Sequence, residues 1–198
     1  MTAPFECEVR FLIPDIEAFR ARLRVLGANG EERYAFTDHY FRPTHWSWDA
    51  RTHALRIREW QEPVRESELL LTHIEVVRAG GLTCKRSLLP DGKLRLHHGT
   101  VEDCASVCET LGFTRWLDVV KSQCGICDLP GLGKAIYERV EGLGWTSEVE
   151  VEGTDPAAAL ARIRDKLASL GVPEGAATDT SMAVLVAERL GLLPASSR

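Results

Sequence analysis

Acidic side chains recur at every second position in two stretches near opposite ends of the chain. Glu6 and Glu8 lie in the first stretch, and Glu148, Glu150 and Glu152 lie in the second. Because side chains of a β-strand alternate between its two faces, each stretch, taken as a strand, places its glutamates on one face. If those faces line a cavity, the like charges repel one another, and a divalent cation with oxygen ligands would relieve the repulsion. An acidic cluster of this kind therefore predicts a site for a divalent cation such as Mg²⁺.

Basic side chains follow the same alternation in the middle of the chain. Arg56 and Arg58 share a face of "LRIRE", Lys121 lies in "VVKSQ", and "CKRS" adds Lys85 or Arg86. Arginine binds phosphate oxygens through two parallel hydrogen bonds, so an arginine-rich set favours phosphate recognition over general solubility. The same alternation is also typical of an ordinary sheet with one face in water, and in that case no such site exists.

The composition argues against several other classes of protein. The 198 residues carry a formal net charge of −5, whereas a general nucleic-acid binder is usually basic. No run of about 18 apolar residues predicts a membrane span, and the N-terminus lacks the basic start and apolar stretch of a signal peptide. We therefore expect a cytoplasmic protein that binds neither nucleic acid nor membrane, with its six cysteines as reduced thiols.

Four cysteines have a spacing that loosely matches a structural zinc site. Cys104 and Cys108 are followed, after fifteen residues, by Cys124 and Cys127. The first pair lies in a predicted helix and the second at a predicted strand, where residues three apart face opposite sides. We expect small buried thiols in preference to zinc ligands.

The predicted helices and strands that must position these residues are those of an α+β protein. Helices are predicted at residues 14–28, 100–113, 155–171 and 180–191. Strands are predicted at residues 4–13, 37–43, 53–61, 68–80, 82–92, 93–99, 116–124, 134–144 and 145–153. Because adjacent strands are joined mostly by short turns, we expect antiparallel pairing.

Five motifs stand in an order that is typical of one enzyme family. They are Glu6-x-Glu8-x-Arg10, then "TDHYFRP", "ALRIRE" and "VVKSQ", and finally "ERVEGLGWTSEVEVEG". They resemble, in turn, the ExExK signature, the D-x-Y-F segment, the L-R-x-R strand, the K-x-R strand and the closing E-x-E segment of the CYTH superfamily, the triphosphate tunnel metalloenzymes. This family includes class IV adenylyl cyclases, thiamine triphosphatases and inorganic triphosphatases. The resemblance runs from Glu6 to about Gly153.

The resemblance implies an eight-stranded antiparallel β-barrel, open as a tunnel, with helices packed outside. A single domain would cover residues 1–198, with C-terminal helices from about residue 155. Mg²⁺ or Mn²⁺ would be held by Glu6, Glu8, Glu148 and Glu150. Substrate phosphate would be bound by Arg56, Arg58, Arg86, Lys85 and Lys121. The catalytic set would be Glu138, Lys121 and Arg10. Homodimers occur in the family, so a homodimer is a further expectation.

Several family positions carry other residues here. Arg10 replaces the signature lysine, Ile74 stands where a lysine is usual, and Gln123 replaces the arginine of the K-x-R strand. Each lost charge-assisted hydrogen bond costs about 1.5–3 kcal/mol. We therefore expect a nonstandard substrate, an organic or nucleoside diphosphate or triphosphate, whose phosphate anhydride is hydrolysed. The alternatives are a class IV-type adenylyl cyclase, which needs a base-recognition pocket that the sequence does not show, and a noncatalytic phosphate-ligand binding protein.

Overall fold

The computed structural model describes residues 5–79, 82–89, 92–173 and 175–194. Within these ranges the chain forms ten strands and four helices. The strands are β1 (Phe5–Leu12), β2 (Asn29–Pro43), β3 (His53–Glu62), β4 (Glu66–Ala79), β5 (Leu82–Ser87), β6 (Leu94–Gly99), β7 (Phe113–Leu129), β8 (Gly133–Val140), β9 (Gly144–Gly153) and β10 (Ala177–Thr178). The helices are α1 (Ile16–Val25), α2 (Val101–Thr110), α3 (Pro156–Leu170) and α4 (Met182–Arg189).

The strand order closes on itself. Hydrogen-bonded neighbours follow the order β1, β5, β4, β3, β2, β7, β8 and β9, and β9 pairs in turn with β1. β10 joins β1 and β6 joins β4 outside this ring. The registers along β1, β3, β4 and β8 are antiparallel. The chain is thus an α+β protein with a closed eight-stranded antiparallel barrel, which confirms the predicted fold class.

The chain divides into two compact units, each built from separate stretches of sequence. The first unit contains residues 1–33, 76–86 and 123–180, and the second contains residues 34–75, 87–122 and 181–198. β2, β4 and β7 contribute residues to both units. The single domain that the resemblance implies for residues 1–198 stays a prediction.

β1, in the first unit, is buried on both of its faces. Cys7 and Val9 belong to the hydrophobic core of this unit, together with Ile163 of α3. On the opposite face of the strand, Glu8 is 5% exposed and Arg10 is 8% exposed. An ordinary half-buried strand would leave its charged face in water. That alternative, left open by the sequence, therefore does not hold for β1.

α3 begins and ends where its sequence signals predict. Asp155 is the N-cap and accepts a 2.9 Å hydrogen bond from the backbone N–H of Ala157. Pro156 occupies the first turn, where no backbone N–H is required. Gly171 ends the helix in the left-handed conformation, at a φ of 76°. None of the helices in the described ranges is long and apolar enough to cross a membrane.

α2 covers the apolar face of β3 in the second unit. Its N-terminus is a capping box, in which Thr100 and Asp103 each accept a hydrogen bond from the backbone of the other. Cys104 and Cys108 lie on the buried side of the helix and belong to the same hydrophobic core as Ile57 of β3. These two cysteines serve as small apolar side chains, as expected.

The expectation of six reduced cysteines is wrong for one pair, because Cys7 and Cys84 form a disulfide. The two residues lie directly opposite each other in the β1–β5 ladder, so strand pairing brings their sulfur atoms together. Nothing in the local sequence shows this, since 77 positions separate the two cysteines. The free thiols are all buried and are Cys104, Cys108, Cys124 and Cys127.

Candidate metal and phosphate sites

Five glutamates of β1 and β9 share one face of the first unit, and we call them the acidic cluster. They are Glu6, Glu8, Glu148, Glu150 and Glu152. In the β1–β9 ladder Glu6 lies opposite Glu152, and Glu8 lies opposite Glu150. Because directly opposite residues project from the same face of an antiparallel pair, the register brings all four predicted metal ligands to one surface.

Two cations neutralise part of the acidic cluster. Lys85 Nζ lies 2.8 Å from Glu8 Oε2. The Arg10 guanidinium contacts Glu8 and also lies 2.9 Å from Glu148 Oε2. A carboxylate as buried as Glu8 needs partners of this kind to remain charged. Lys85 and Arg10, predicted to bind phosphate and to take part in catalysis, are thus counterions of the glutamates in this structure.

Burial and neighbouring charges perturb the titration of Glu150 and Lys85. The pKa of Glu150 is raised to about 7, first by burial and then by Glu6 and Glu148. The pKa of Lys85 is lowered to about 8, first by burial and then by Arg10. Since part of the Glu150 side chain is exposed, solvent screening reduces the free-energy consequence of its shift. The rise nevertheless shows that Glu150 lacks sufficient positive charge beside it.

The donor set of the acidic cluster fits a hard divalent cation. Mg²⁺ and Mn²⁺ prefer oxygen ligands and complete their shells with water and phosphate. Throughout the described ranges, no three His, Cys, Asp or Glu side chains are already grouped to hold a metal ion. Among the described residues, neither the glutamates of the acidic cluster nor the four free cysteines form such a group. In the acidic cluster, Glu8 contacts Lys85 and Arg10, so a cation bound to Glu8 would have to displace these contacts.

Glu138, the predicted catalytic carboxylate, lies on the same face of the first unit. In the β8–β9 ladder Glu138 is opposite Thr146, and Ile136 is opposite Glu148. Glu138 is therefore a diagonal neighbour of Glu148, two positions from the residue directly opposite Glu148. It is 4% exposed, which is unusual for a glutamate without a specific role.

Arg86, predicted to bind phosphate, lies on the other face. Its neighbour Lys85 is opposite Glu6 in the β1–β5 ladder and so faces the acidic cluster. Because consecutive side chains alternate, Arg86 projects from the opposite face. There its guanidinium carbon lies 5.2 Å from the centre of the Phe5 ring. The structure therefore does not bring Arg86 to the predicted site.

Three cations of the second unit surround one buried aspartate, and we call these four residues the basic cluster. Arg58 donates to both oxygens of Asp38, at 2.8 Å from Nε and 2.7 Å from Nη2. Arg56 Nε lies 3.4 Å from Asp38 Oδ2, and no hydrogen-bond partner satisfies this buried nitrogen among the described residues. Lys121, the third cation, is 8% exposed. The structure thus unites three of the predicted phosphate-binding residues.

Aromatic rings hold the cations of the basic cluster in place. The Arg58 guanidinium carbon lies 4.0 Å from the centre of the Phe36 ring and 5.3 Å from that of Trp60. Lys121 Nζ lies 5.0 Å from the same Phe36 ring. Contacts of this kind contribute about 0.5–2 kcal/mol each, depending on exposure. They orient the cations without neutralising them.

Asp38 is ionised despite its burial. Burial alone would raise the pKa of this carboxyl, but Arg58 and Arg56 outweigh it and hold the pKa below its usual value. Lys121 acts in the same direction. Within the basic cluster, one ionised carboxylate therefore faces three cations.

A family model described as the CYTH domain matches residues 4–181 of the chain. The chain belongs to the CYTH domain family. This confirms the resemblance inferred from the five motifs. No curated protein sequence matches the chain.

Solved structures share the CYTH fold with this chain. A conserved hypothetical protein from Pyrococcus furiosus matches with a TM-score of 0.71 and 22% identity, over 91% of this chain and 99% of that chain. A putative adenylate cyclase from Vibrio parahaemolyticus matches with a TM-score of 0.63 and 15% identity, over 94% of this chain and 99% of that one. A putative adenylyl cyclase from Hippeastrum, described as having a dominant triphosphatase activity, matches with a TM-score of 0.62 and 15% identity, over 96% of this chain and 98% of that one. At such identities the likeness shows the fold alone.

Sequence reasoning missed four charged residues of this CYTH chain, namely Asp38 of the basic cluster and three residues near it. Glu68 is 8% exposed, accepts a 3.3 Å hydrogen bond from Trp60 Nε1, and lies 2.5 Å from Arg95 Nε. The others are Asp38 and Lys93. The D-x-Y-F segment already contained Asp38, and the alternation of Lys93 and Arg95 in "KLRL" was a further signal.

A second ionic network lies on the opposite face of β2. His39 Nδ1 lies 3.0 Å from Asp118 Oδ1, and His39 Nε2 lies 3.1 Å from Glu59 Oε2. Arg115 donates to both oxygens of Asp118, at 2.7 and 2.6 Å. The Asp118 side chain is 41% exposed. Asp118 and Asp38 thus accept the same type of arginine fork in environments that differ in burial.

Proposed function

We propose that this CYTH chain is a metal-dependent enzyme that hydrolyses the phosphate anhydride of an organic or nucleoside diphosphate or triphosphate. The observation that carries the proposal is the unequal distribution of acidic and basic side chains between the two units. Glutamates gather in the first unit, whereas arginines gather around one aspartate in the second. A protein that only bound anions would not need the acidic cluster. The triphosphatase activity described for the Hippeastrum protein supports the same class of reaction.

The acidic cluster would hold the cation. Glu6, Glu8, Glu148 and Glu150 present carboxylates on one face. When bound, Mg²⁺ or Mn²⁺ would supply Lewis-acid polarisation of a phosphoryl oxygen. Arg10 contacts two of these glutamates and restricts where their carboxylates point before a ligand arrives.

The basic cluster would bind the substrate's phosphoryl groups. Catalysis of phosphoryl transfer consists largely of positioning and of stabilising charge on phosphoryl oxygens. Arg56, Arg58 and Lys121 supply that charge. Asp38 accepts the fork of Arg58 and so fixes the direction of the guanidinium. Arg56 Nε is buried without a hydrogen-bond partner among the described residues, so Asp38 does not use the full donor capacity of Arg56.

Glu138 would accept the proton of the attacking water. The water oxygen would form a bond to phosphorus while the anhydride P–O bond breaks, and the leaving phosphate would carry away the bonding electrons. Burial makes Glu138 a well-fixed carboxylate, as general-base catalysis requires. This role stays a prediction.

The test is phosphate release from a panel of tripolyphosphate, pyrophosphate, nucleoside diphosphates and triphosphates, and thiamine phosphates, with Mg²⁺, Mn²⁺ or EDTA. We expect release from at least one compound with cation and none with EDTA. Glu148→Gln and Arg58→Met should each lower the rate about 100-fold, because each removes a group that stabilises the transition state. Arg51→Met is the matched control, since the Arg51 side chain is 68% exposed. Chromatography of the nucleotide reactions would reveal a cyclic product and so identify the cyclase alternative.

A noncatalytic phosphate-binding protein is the second candidate function. The observation that favours it is the pairing of Glu8 with Lys85 and Arg10, which occupies a predicted metal ligand. Thermal stabilisation by a compound of the panel, without turnover in any cation, would support this candidate and reject the enzyme. A ligand at 100 times its Kd should add about 2.7 kcal/mol of stability. Neither turnover nor stabilisation would reject both candidates.

A further inference from the structure

Two histidines of the second unit lie directly opposite each other in the β3–β4 ladder. They are His53 and His73, and their ring centres are 4.1 Å apart with 20° between the ring planes. By alternation, His53 shares its face of β3 with Ile57, which belongs to the hydrophobic core beside α2. The pair therefore projects from the face of β3 opposite to the basic cluster and is not part of the proposed phosphate site.

Hydrogen bonds determine which ring nitrogen of His53 carries the proton of the neutral imidazole. Thr52 Oγ1 lies 2.9 Å from His53 Nδ1 and donates to the backbone oxygen of Asp49 at 3.2 Å. Because a hydroxyl group has a single proton, Thr52 accepts from His53, and Nδ1 is the protonated nitrogen. The lone pair of the ring is then on Nε2, which has no hydrogen-bond partner among the described residues.

An aromatic contact fixes the His53 ring from its other side. The ring centre of Trp48 lies 5.5 Å from that of His53, with 20° between the planes. Trp48 itself packs against Phe113 and Trp46, at 5.3 and 5.8 Å between ring centres. His53 is thus a fixed imidazole whose second nitrogen donates to an oxygen acceptor. Histidines that bind metal ions usually have such an outer hydrogen bond, which sets both the tautomer and the orientation of the ring.

The His73 ring is adjustable where the His53 ring is fixed. Among the described residues, the contact of the His73 ring is its stack on His53, and neither of its nitrogens has a hydrogen-bond partner. The ring can therefore turn about its side-chain bonds. The Cβ atoms of directly opposite residues are about 4.5–5.5 Å apart, so an ion held by Nε2 of His53 is within reach of a His73 nitrogen. Both side chains are half-buried, which leaves them accessible to an ion from solvent.

Two imidazole ligands select a different class of ion from that of the acidic cluster. Imidazole nitrogen suits Cu²⁺, Ni²⁺ and Zn²⁺, with the highest affinity for Cu²⁺, whereas Mg²⁺ prefers oxygen ligands. In the described part of the chain, no third His, Cys, Asp or Glu side chain is grouped with the pair. Water would therefore complete the coordination shell.

We propose that His53 and His73 bind one divalent transition-metal ion, with the affinity order Cu²⁺ above Ni²⁺ and Zn²⁺. Thr52 is a positioning residue that keeps the lone pair of His53 on Nε2. The bound ion would join β3 to β4 next to the loop that connects β2 and β3. This inference is independent of the proposed function, because it uses none of the residues of the acidic and basic clusters.

Calorimetric titration with Cu²⁺ in excess Mg²⁺, together with electron paramagnetic resonance of the copper-loaded chain, tests the inference. We expect one Cu²⁺ coordinated by two imidazole nitrogens. His73→Phe keeps an aromatic ring in the stack but removes its nitrogens, so it should weaken Cu²⁺ binding by at least about tenfold and leave one coordinated nitrogen. Thr52→Val should weaken binding about tenfold, as is usual when the outer hydrogen bond of a ligand is lost. His97→Gln is the control, since His97 is an exposed histidine of β6, and should bind Cu²⁺ as the wild type does.

Melting in EDTA separates ion binding from folding. His73→Phe should melt close to the wild type in EDTA, and His73→Gln provides the same test if the phenylalanine variant is unstable. Wild-type Cu²⁺ affinity in His73→Phe would overturn the inference, as would a wild-type spectrum with fewer than two coordinated nitrogens. Equal weakening in His97→Gln would also overturn it, because the ion would then bind surface histidines in general. Glu148→Gln should keep the two-nitrogen spectrum, and its loss there would place the ion in the acidic cluster instead.

Discussion

Replacing Asp38 by asparagine should destabilise the chain strongly while leaving its volume nearly unchanged. The substitution removes the carboxylate that accepts two hydrogen bonds from Arg58. Each charge-assisted hydrogen bond is worth about 1.5–3 kcal/mol, and breaking a buried ion pair from one side costs about 3–5 kcal/mol. We expect a loss of about 3–5 kcal/mol, since Asp38 is 3% exposed. For a chain of this length the corresponding fall in Tm is roughly 6–20 °C.

Asp118→Asn is the matched control for this prediction. Asp118 accepts an arginine fork of the same geometry from Arg115, but its side chain is 41% exposed. Exposed pairs contribute about 0.2–1 kcal/mol, so its Tm should fall by less than about 4 °C. The pKa of Asp38 is held below its usual value, so the stability that Asp38 provides is present above the unfolded pKa and lost as pH falls through the folded pKa. The difference between wild type and Asp38→Asn should therefore be constant from about pH 5 to pH 8.

Thermal and urea unfolding, with and without tripolyphosphate, provide the assay. Asp38→Asn leaves Arg56, Arg58 and Lys121 without their shared carboxylate, so an added anion should stabilise this variant more than the wild type. A loss of stability below about 1 kcal/mol, equal to that of Asp118→Asn, would refute the reasoning from burial. An equal response of wild type and Asp38→Asn to tripolyphosphate would refute the claim that Asp38 offsets positive charge of the three cations.

Three further predictions concern the first unit. Replacing Cys7 and Cys84 together by serine should lower the free energy of unfolding in urea by about 4 kcal/mol, because the disulfide closes a loop across 77 positions. If the serine variant were less stable than the wild type by the same amount after both proteins are treated with a dithiol reductant, the disulfide would not be the cause. Gly125→Ala should cost about 1–3 kcal/mol, since its new Cβ would lie 2.3 Å from the Tyr137 side chain, whereas Gly153→Ala, with its nearest contact at 4.0 Å, should cost less. The pKa of Glu150 is raised from its ordinary value of 4.5 to about 7, so stability should fall as pH rises between these values; Glu150→Gln should flatten that dependence, and an unchanged pH dependence of stability in this variant would contradict the role of Glu150.

The charged faces of individual strands could be predicted from sequence because alternation is a local property. The two faces of β1, the E-x-E segment of β9 and the paired arginines of β3 all follow from a period of two. The caps of α2 and α3 are equally local, and their residues stand where the capping rules place them. Registers between strands are not local, and the errors concentrate there. The sequence left Lys85 and Arg86 equivalent, and only the pairing of Glu6 with Lys85 shows which of them faces the glutamates.

Contacts between distant segments account for the other omissions. The Cys7–Cys84 disulfide depends on the β1–β5 register, and the expected reducing compartment argued against it. The counterion role of Arg10 depends on Glu148, far away in the chain. Ile74 and Gln123 stand at positions where the family has basic residues, and this suggested a phosphate site with fewer cations. Arg95 lies on a strand outside the ring, and Lys93 directly precedes that strand, so neither belongs to the five motifs.

Stretches of the two units alternate along the sequence, and this restricts where the gene could be divided. Each unit is assembled from three separate stretches of sequence, and β2, β4 and β7 begin in one unit and end in the other. A single cut anywhere between residues 35 and 180 therefore leaves both fragments with incomplete portions of both units. Split-protein complementation would have to restore strand pairing within each unit at once. Exchange of one unit between homologous chains would need several simultaneous crossovers inside strands, so recombination should preserve this barrel as a whole.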